Sequence, residues 1–219
     1  MEGILIRKDL FTIWNWNGNM PAIEYGCKEL DHLRKRDRKL GLAIDRLGMI
    51  EAESSPDLFA ALVSSIISQQ ISGKAAETVW GRVKERFGEI TPENISAATV
   101  PEVQACGMSY RKAEYVRGIA EACVRRDIDL EALTDLPDEE VVSRLCALRG
   151  VGVWTAEMML IFSLDRPDVV SWSDLAIRRG MMVLYGLDKI ERDDFDRYRR
   201  RYSPYGSIAS LYLWRLSHE

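Results

Sequence analysis

Apolar residues recur at intervals of three and four positions along most of this chain, and this spacing constrains its fold more than any other feature. From about residue 21 onward the chain lacks the sustained apolar-polar alternation that is typical of half-buried β-strands. The pattern therefore predicts an all-α fold. The predicted helices cover roughly residues 21–46, 57–69, 72–87, 110–126, 137–148, 152–164, 173–185 and 206–217, with short helical turns near 92–105 and 192–200.

The first twenty residues have a different character. They mix aromatic residues with an Asn-Gly turn signal, as in LFTIWNWNGN, which favours a short hairpin or an extended arm. We therefore expect residues 1–20 to form an N-terminal arm or short hairpin and residues 21–219 to form the helical domain.

Composition excludes several classes of protein. The chain has 219 residues, 47% of them hydrophobic and 29% charged, as in ordinary globular proteins. No window approaches eighteen uninterrupted apolar residues and the N-terminus lacks the apolar core of a signal peptide, so we expect a cytoplasmic protein without a membrane partner. The four cysteines stand singly, so the sequence predicts no metal held by side chains and no iron-sulfur cofactor.

The net charge of −4 argues against a surface coated with nucleic-acid-binding cations. It does not exclude a local basic face, because binding a phosphate needs only a few converging cations. Basic clusters occur at Arg34-Lys35-Arg36, Arg111-Lys112, Arg178-Arg179 and Arg199-Arg200-Arg201.

The stretch LRGVGVWTAE, residues 148–157, predicts a tight turn between two helices. Gly150 and Gly152 permit positive φ and a close approach of another chain. Amide groups at the start of the second helix, helped by the helix dipole, are suited to bind an anion such as a phosphate. An ordinary helical hairpin with a glycine cap stays open as the alternative from these residues alone.

Three segments in a fixed order carry a resemblance to a known family. They are SSIISQQISGKAAETVWGRV, then LRGVGVWTAEMM followed about twenty residues on by SDLAIRRG, and finally YGSIASLYLWRL. The chain resembles the helix-hairpin-helix DNA glycosylases, and among them the AlkA-type 3-methyladenine DNA glycosylases, over about residues 50–219. The resemblance implies a bilobal all-α monomer with its active-site cleft between two helical lobes, formed by about 50–130 and by 21–49 plus 131–219.

The resemblance also implies how the chain would bind double-stranded DNA containing alkylated bases. Backbone amides around the hairpin glycines would grip a phosphate, with Arg149 standing where relatives commonly carry a proline. A structural Na or K ion would bind the hairpin carbonyls of Cys146 and Leu148, and no other cofactor is expected. Gln69 or Gln70, with Gln70 preferred, would enter the gap left by a flipped base. The implied DNA-binding residues are Gly150, Val151, Gly152, Thr155, Arg149, Gln69, Gln70 and Arg178.

The family's catalytic aspartate falls on Asp174, whose carboxylate would stabilise positive charge on the sugar as the base departs. Trp154 and Trp214 match aromatic positions of the base pocket, while Met158 and Leu175 stand where some relatives carry tyrosines. Without the resemblance, Asp174 is more simply a helix N-cap and the two tryptophans are more simply core residues.

The resemblance implies a monofunctional glycosylase that hydrolyses the N-glycosidic bond of 3-methyladenine in base excision repair, with 7-methylguanine as a second candidate substrate. Relatives that also cut the strand use a lysine at the position of Trp154, and an indole cannot form a Schiff base. Two alternatives remain: a non-catalytic, structure-specific DNA-binding module, and a glycosylase for hypoxanthine, oxidised guanine or uracil.

Overall fold

A computed structural model describes residues 21–219, which contain twelve α-helices and no β-strand, so the predicted all-α fold is confirmed. The predicted arm or hairpin of residues 1–20 lies outside the described residues. None of the helices that are described has the length and apolar character needed to cross a membrane. The helices are α1 Cys27–Arg36, α2 Arg38–Leu47, α3 Leu58–Ser68, α4 Gly73–Phe87, α5 Pro92–Ser96, α6 Val100–Gln104, α7 Tyr110–Val124, α8 Asp138–Cys146, α9 Val153–Phe162, α10 Leu175–Tyr185, α11 Arg192–Tyr202 and α12 Gly206–Leu216.

The single helix predicted over 21–46 is wrong, because the chain breaks at Asp37 into α1 and α2. Asp37 is extended, with φ −141° and ψ 109°, and its carboxylate accepts the backbone N–H of Leu40 as the N-cap of α2. The same buried carboxylate accepts hydrogen bonds from Tyr185 and Arg201. These partners lie about 150 residues further along the chain, so periodicity near Asp37 could not reveal the break.

The described helices form two compact units. Unit 1 comprises Pro21–Ser54 and Asp165–Glu219, and unit 2 comprises Ser55–Leu164. The segment 131–164, which the sequence analysis assigns to the same lobe as the C-terminus, belongs to unit 2.

Unit 1 is built around α12, whose residues are all buried except Arg215. Helix α10 packs against it. The contact is closest at Gly180, where an added Cβ would lie 2.0 Å from the carbonyl oxygen of Leu213. Only a residue without a side chain allows the two backbones to approach this closely.

Unit 2 is built around α3, in which every residue from Leu58 to Ser68 is buried. Helices α4, α7 and α9 pack against this central helix. A helix that is apolar all round must be covered on every side, which is why its sequence LFAALVSSIIS shows no polar face. The turn that follows α3 is exposed at residues 70–72.

Replacing Gly180 tests the close contact of α10 with α12. We expect Gly180→Ala to lower the free energy of unfolding by more than about 2 kcal/mol, because the new methyl group meets backbone that cannot turn away. The matched control is Gly81→Ala in α4, where an added Cβ meets nothing within 4 Å. That change should raise stability by about 0.5–1 kcal/mol. Urea denaturation followed by circular dichroism measures both, and equal effects would contradict the close contact.

Candidate functional site

Asp174 is the N-cap of α10 in unit 1, and both of its carboxylate oxygens are engaged. Oδ1 accepts the backbone N–H of Ala176 at 2.7 Å and that of Ile177 at 3.0 Å. Oδ2 accepts the indole N–H of Trp214 at 3.0 Å. The side chain is only 6% exposed, so these three donors fix its orientation. Capping and carboxylate chemistry are therefore compatible roles for the same residue.

The other predicted residues of unit 1 have contrasting environments. Trp214 is 4% exposed and directs its N–H at Asp174, whereas Leu175 is 72% exposed. The guanidinium of Arg178 lies 4.8 Å from the ring centroid of Trp172. Asp168, another nearby carboxylate, accepts the backbone N–H of Gly206 at the start of α12.

The hairpin lies in unit 2, where residues 147–152 connect α8 to α9. Gly150 has φ +92°, and a Cβ there would lie 2.4 Å from the ring of Tyr115. Val151 is buried and donates its N–H to the carbonyl of Leu148 at 3.1 Å. The positive φ of Gly150 and the nearby ring of Tyr115 explain why the turn requires a glycine at this position.

Gly152 caps α9 without a side-chain hydrogen bond. Its φ of −101° is open to any residue, so conformational freedom does not explain this glycine. An added Cβ would meet nothing within 4 Å, and the residue is exposed. The first-turn amides of a helix have no acceptor inside the helix. The bare N-terminus of α9 is therefore accessible to an anion.

The two glutamines after α3 have different roles. Gln69 donates from Nε2 to the carbonyl oxygen of Gly150 at 3.0 Å, which ties the turn to the hairpin. The ammonium of Lys112 donates to the carbonyls of Ile67 and Gln69, and burial lowers the pKa of this amine. Gln70 is exposed and has φ +59°, the left-handed region. Gln70 is thus exposed to solvent on a turn that the hydrogen bonds of Gln69 and Lys112 hold in place.

A cavity of about 790 Å³ lies beside the hairpin within unit 2. Gln69, Gln70, Gly150 and Gly152 line it, and half-buried Trp154 forms part of its wall. Two predicted site residues of α9 lie in the core instead, since Met158 and Thr155 are only 2% and 3% exposed.

Sequence reasoning missed Tyr115, which lies at the centre of this region. The guanidinium carbon of Arg111 lies 5.5 Å from the centroid of its ring and that of Arg149 lies 5.9 Å from it. Nε of Arg111 also donates to the Tyr115 hydroxyl. The one available signal is the spacing of four between Arg111 and Tyr115, which places them on the same face of a helix.

In the part of the chain that the structure describes, no group of histidine, cysteine and acidic residues is arranged to hold a metal ion.

Comparison with known proteins identifies the family. Residues 63–203 match the model for HhH-GPD superfamily base excision DNA repair proteins. The chain belongs to this family. It is 37% identical over 164 residues to DNA-3-methyladenine glycosylase 1 of Schizosaccharomyces pombe, an alignment that covers 73% of this chain and 72% of that protein.

Solved structures agree with this assignment. The structure of a DNA-3-methyladenine glycosidase from Bacillus halodurans has a TM-score of 0.79 and 33% identity, covering 90% of this chain and 93% of that one. The structure of a 3-methyladenine DNA glycosylase from S. pombe in complex with abasic DNA has a TM-score of 0.74 and 32% identity, covering 86% and 95%. The helix-hairpin-helix DNA glycosylase fold class inferred from the sequence motifs is thereby confirmed.

The two hairpin glycines should respond differently to substitution by alanine. We expect Gly150→Ala to lower the free energy of unfolding by about 2–4 kcal/mol, because it combines a positive φ with a clash against Tyr115. Gly152→Ala should cost about 1 kcal/mol or less, the difference between glycine and alanine at an N-cap. Thermal unfolding measures both, and a larger loss for Gly152→Ala would contradict this account of the hairpin.

Proposed function

We propose that this protein is a monofunctional DNA glycosylase that releases alkylated purines, above all 3-methyladenine, and leaves an abasic site. The observation that carries the proposal is the buried carboxylate of Asp174, oriented by two backbone amides and the Trp214 indole. Family membership and the relatives named above support the reaction class. The relatives named above are glycosylases, which favours a catalytic role for this carboxylate over a purely structural cap in a DNA-binding module.

The carboxylate of Asp174 would stabilise the positive charge that develops on the sugar during the reaction. As the bond from base to sugar breaks, the deoxyribose becomes oxocarbenium-like, and a fixed negative group beside it lowers the energy of that state. The same group would orient or deprotonate the attacking water. Because Asp174 is already held by hydrogen bonds, little reorganisation is required when the charge appears.

The substrate class follows from the electronic character of the site. Alkylation at N3 or N7 places a positive charge on a purine, which makes the base a good leaving group and attracts it to an indole face by roughly 1–2 kcal/mol. Trp154 is half-buried in the wall of the unit 2 cavity, so its indole is accessible for such stacking. With tryptophan at this position, no amine is present there to attack the sugar, and strand cutting is not expected.

The hairpin would hold the DNA through its backbone. The exposed N-terminus of α9 at Gly152 suits a phosphate oxygen, and such a contact is independent of base sequence. Gln70, exposed on its held turn, would fill the gap left by the flipped nucleotide. A Na or K ion at the carbonyls of Cys146 and Leu148 would add positive charge. The Leu148 oxygen accepts one hydrogen bond from Val151 and retains a second lone pair.

Asp174→Asn tests the proposed chemistry. Asparagine is a good N-cap, so the fold should survive, while the rate of base release should fall at least about a hundredfold with loss of the negative charge. Release of 3-methyladenine from methylated duplex DNA is measured by chromatography, and strand cutting is measured before and after alkali. Asp165→Asn, a change at an exposed carboxylate, is the control and should retain activity.

Wild-type release with cutting only after alkali supports the proposal. Absence of release by the wild type would contradict alkylpurine specificity, and cutting without alkali would contradict the role assigned to the indole of Trp154.

Trp214→Phe separates positioning of Asp174 from simple stacking. Phenylalanine keeps an aromatic ring but removes the N–H donor, and a hydrogen bond to a charged group is worth about 1.5–3 kcal/mol. We expect the single-turnover rate to fall roughly ten- to hundredfold while affinity for abasic duplex changes little. The control is Trp80→Phe, a change at a buried tryptophan of unit 2. An unchanged rate in Trp214→Phe would exclude the positioning role.

A further inference from the structure

The surface around Tyr115 in unit 2 carries two exposed cations that no carboxylate neutralises. Arg149 lies 5.9 Å from the centroid of the Tyr115 ring and Arg111 donates to the hydroxyl of that ring, and within residues 21–219 neither guanidinium has an ion-pair partner. A ring attracts a guanidinium by only about 0.5–1 kcal/mol at an exposed site, so each charge remains available to an anion.

Several other arginines of unit 2 form ion pairs. Arg117 pairs with Glu121, Arg125 with Asp127 and Arg144 with Glu140, each at 2.9 Å or less. Arg111 and Arg149 differ from these paired arginines because the group beside each guanidinium is a tyrosine ring.

Tyr115 also fixes where these cations stand relative to the hairpin. Gly150 packs against its ring so closely that no Cβ fits, and Arg149 directly precedes that glycine. Arg111 reaches the same ring from the first turn of α7. The ring therefore joins α7 to the hairpin turn, and Arg111 lines the same cavity as Gly152.

We propose that Arg111 and Arg149, held by Tyr115, form a two-cation clamp for the phosphate backbone of duplex DNA. The clamp rests on the proposed function in that both require DNA at the hairpin, but it assigns a separate contact made by side chains. Arginine suits phosphate because its planar fork donates two parallel hydrogen bonds. The contact is with backbone, so it strengthens binding to any sequence and to damaged and undamaged duplex alike.

The test is the salt dependence of binding. The full chain is titrated with a duplex containing a tetrahydrofuran abasic analogue, between about 50 and 200 mM KCl, and fluorescence anisotropy gives the slope of log K against log salt. Arg111→Gln and Arg149→Gln should each reduce the slope by about 0.9, and the double variant by about 1.8. The matched control is Arg125→Gln, at the other end of α7, which should keep the wild-type slope because Arg125 is already paired with Asp127.

Two variants at position 115 test the ring itself. Tyr115→Phe keeps the ring but removes the hydroxyl that accepts from Nε of Arg111, so its slope should fall by no more than that of Arg111→Gln, whereas Tyr115→Leu should lose about as much as the double arginine variant. Thermal unfolding checks that each variant is folded, and if the leucine variant does not fold, the arginine variants decide the question.

Wild-type slopes in both arginine variants, or a fall no larger than that of Arg125→Gln, would overturn the clamp. Base release by the wild type is measured separately, which keeps the two proposals distinct. Reduced slopes without base release would support the clamp and contradict the glycosylase activity. Base release with unchanged slopes would support the glycosylase activity and contradict the clamp.

Discussion

The approach of α10 to α12 at Gly180 is the constraint on which the site of unit 1 depends. With the Leu213 carbonyl occupying the space of a missing Cβ, the next residue along α12, Trp214, reaches the carboxylate at the start of α10. A larger residue at position 180 would separate the two helices and, with them, the indole from the carboxylate. The close packing at Gly180, in the interior of α10, thus positions the hydrogen bond from Trp214 to Asp174 at the start of that helix.

Asp174 shows why sequence reasoning treated two compatible roles as alternatives. A carboxylate has two oxygens, and here one caps the helix while the other faces an indole. The cap and the position of Asp174 in the motif could both be predicted locally. The donor at Trp214 could not, because it lies forty residues away and its N–H direction depends on tertiary packing. The break at Asp37 was missed for the same reason.

The hairpin shows that a departure from a family pattern can be balanced by other contacts. A proline before the first hairpin glycine would fix φ by its ring. With Arg149 in that place, the turn is held from outside, by the Tyr115 ring against Gly150 and by the Gln69 amide on the Gly150 carbonyl. The glycine spacing and the turn were predictable, whereas Tyr115 was not, since nothing in its local sequence indicates a partner in another helix.

Net charge is a poor guide to such a surface because it counts cations without regard to their partners. In a chain of net charge −4, an arginine that no carboxylate neutralises still suits a contact with phosphate. Arg117, Arg125 and Arg144 of unit 2 are paired with carboxylates, whereas the guanidinium groups of Arg111 and Arg149 have no ion-pair partner within residues 21–219. The proposed clamp therefore depends on these two guanidinium groups and on the bare N-terminus of α9, and not on the sum of charges over the chain.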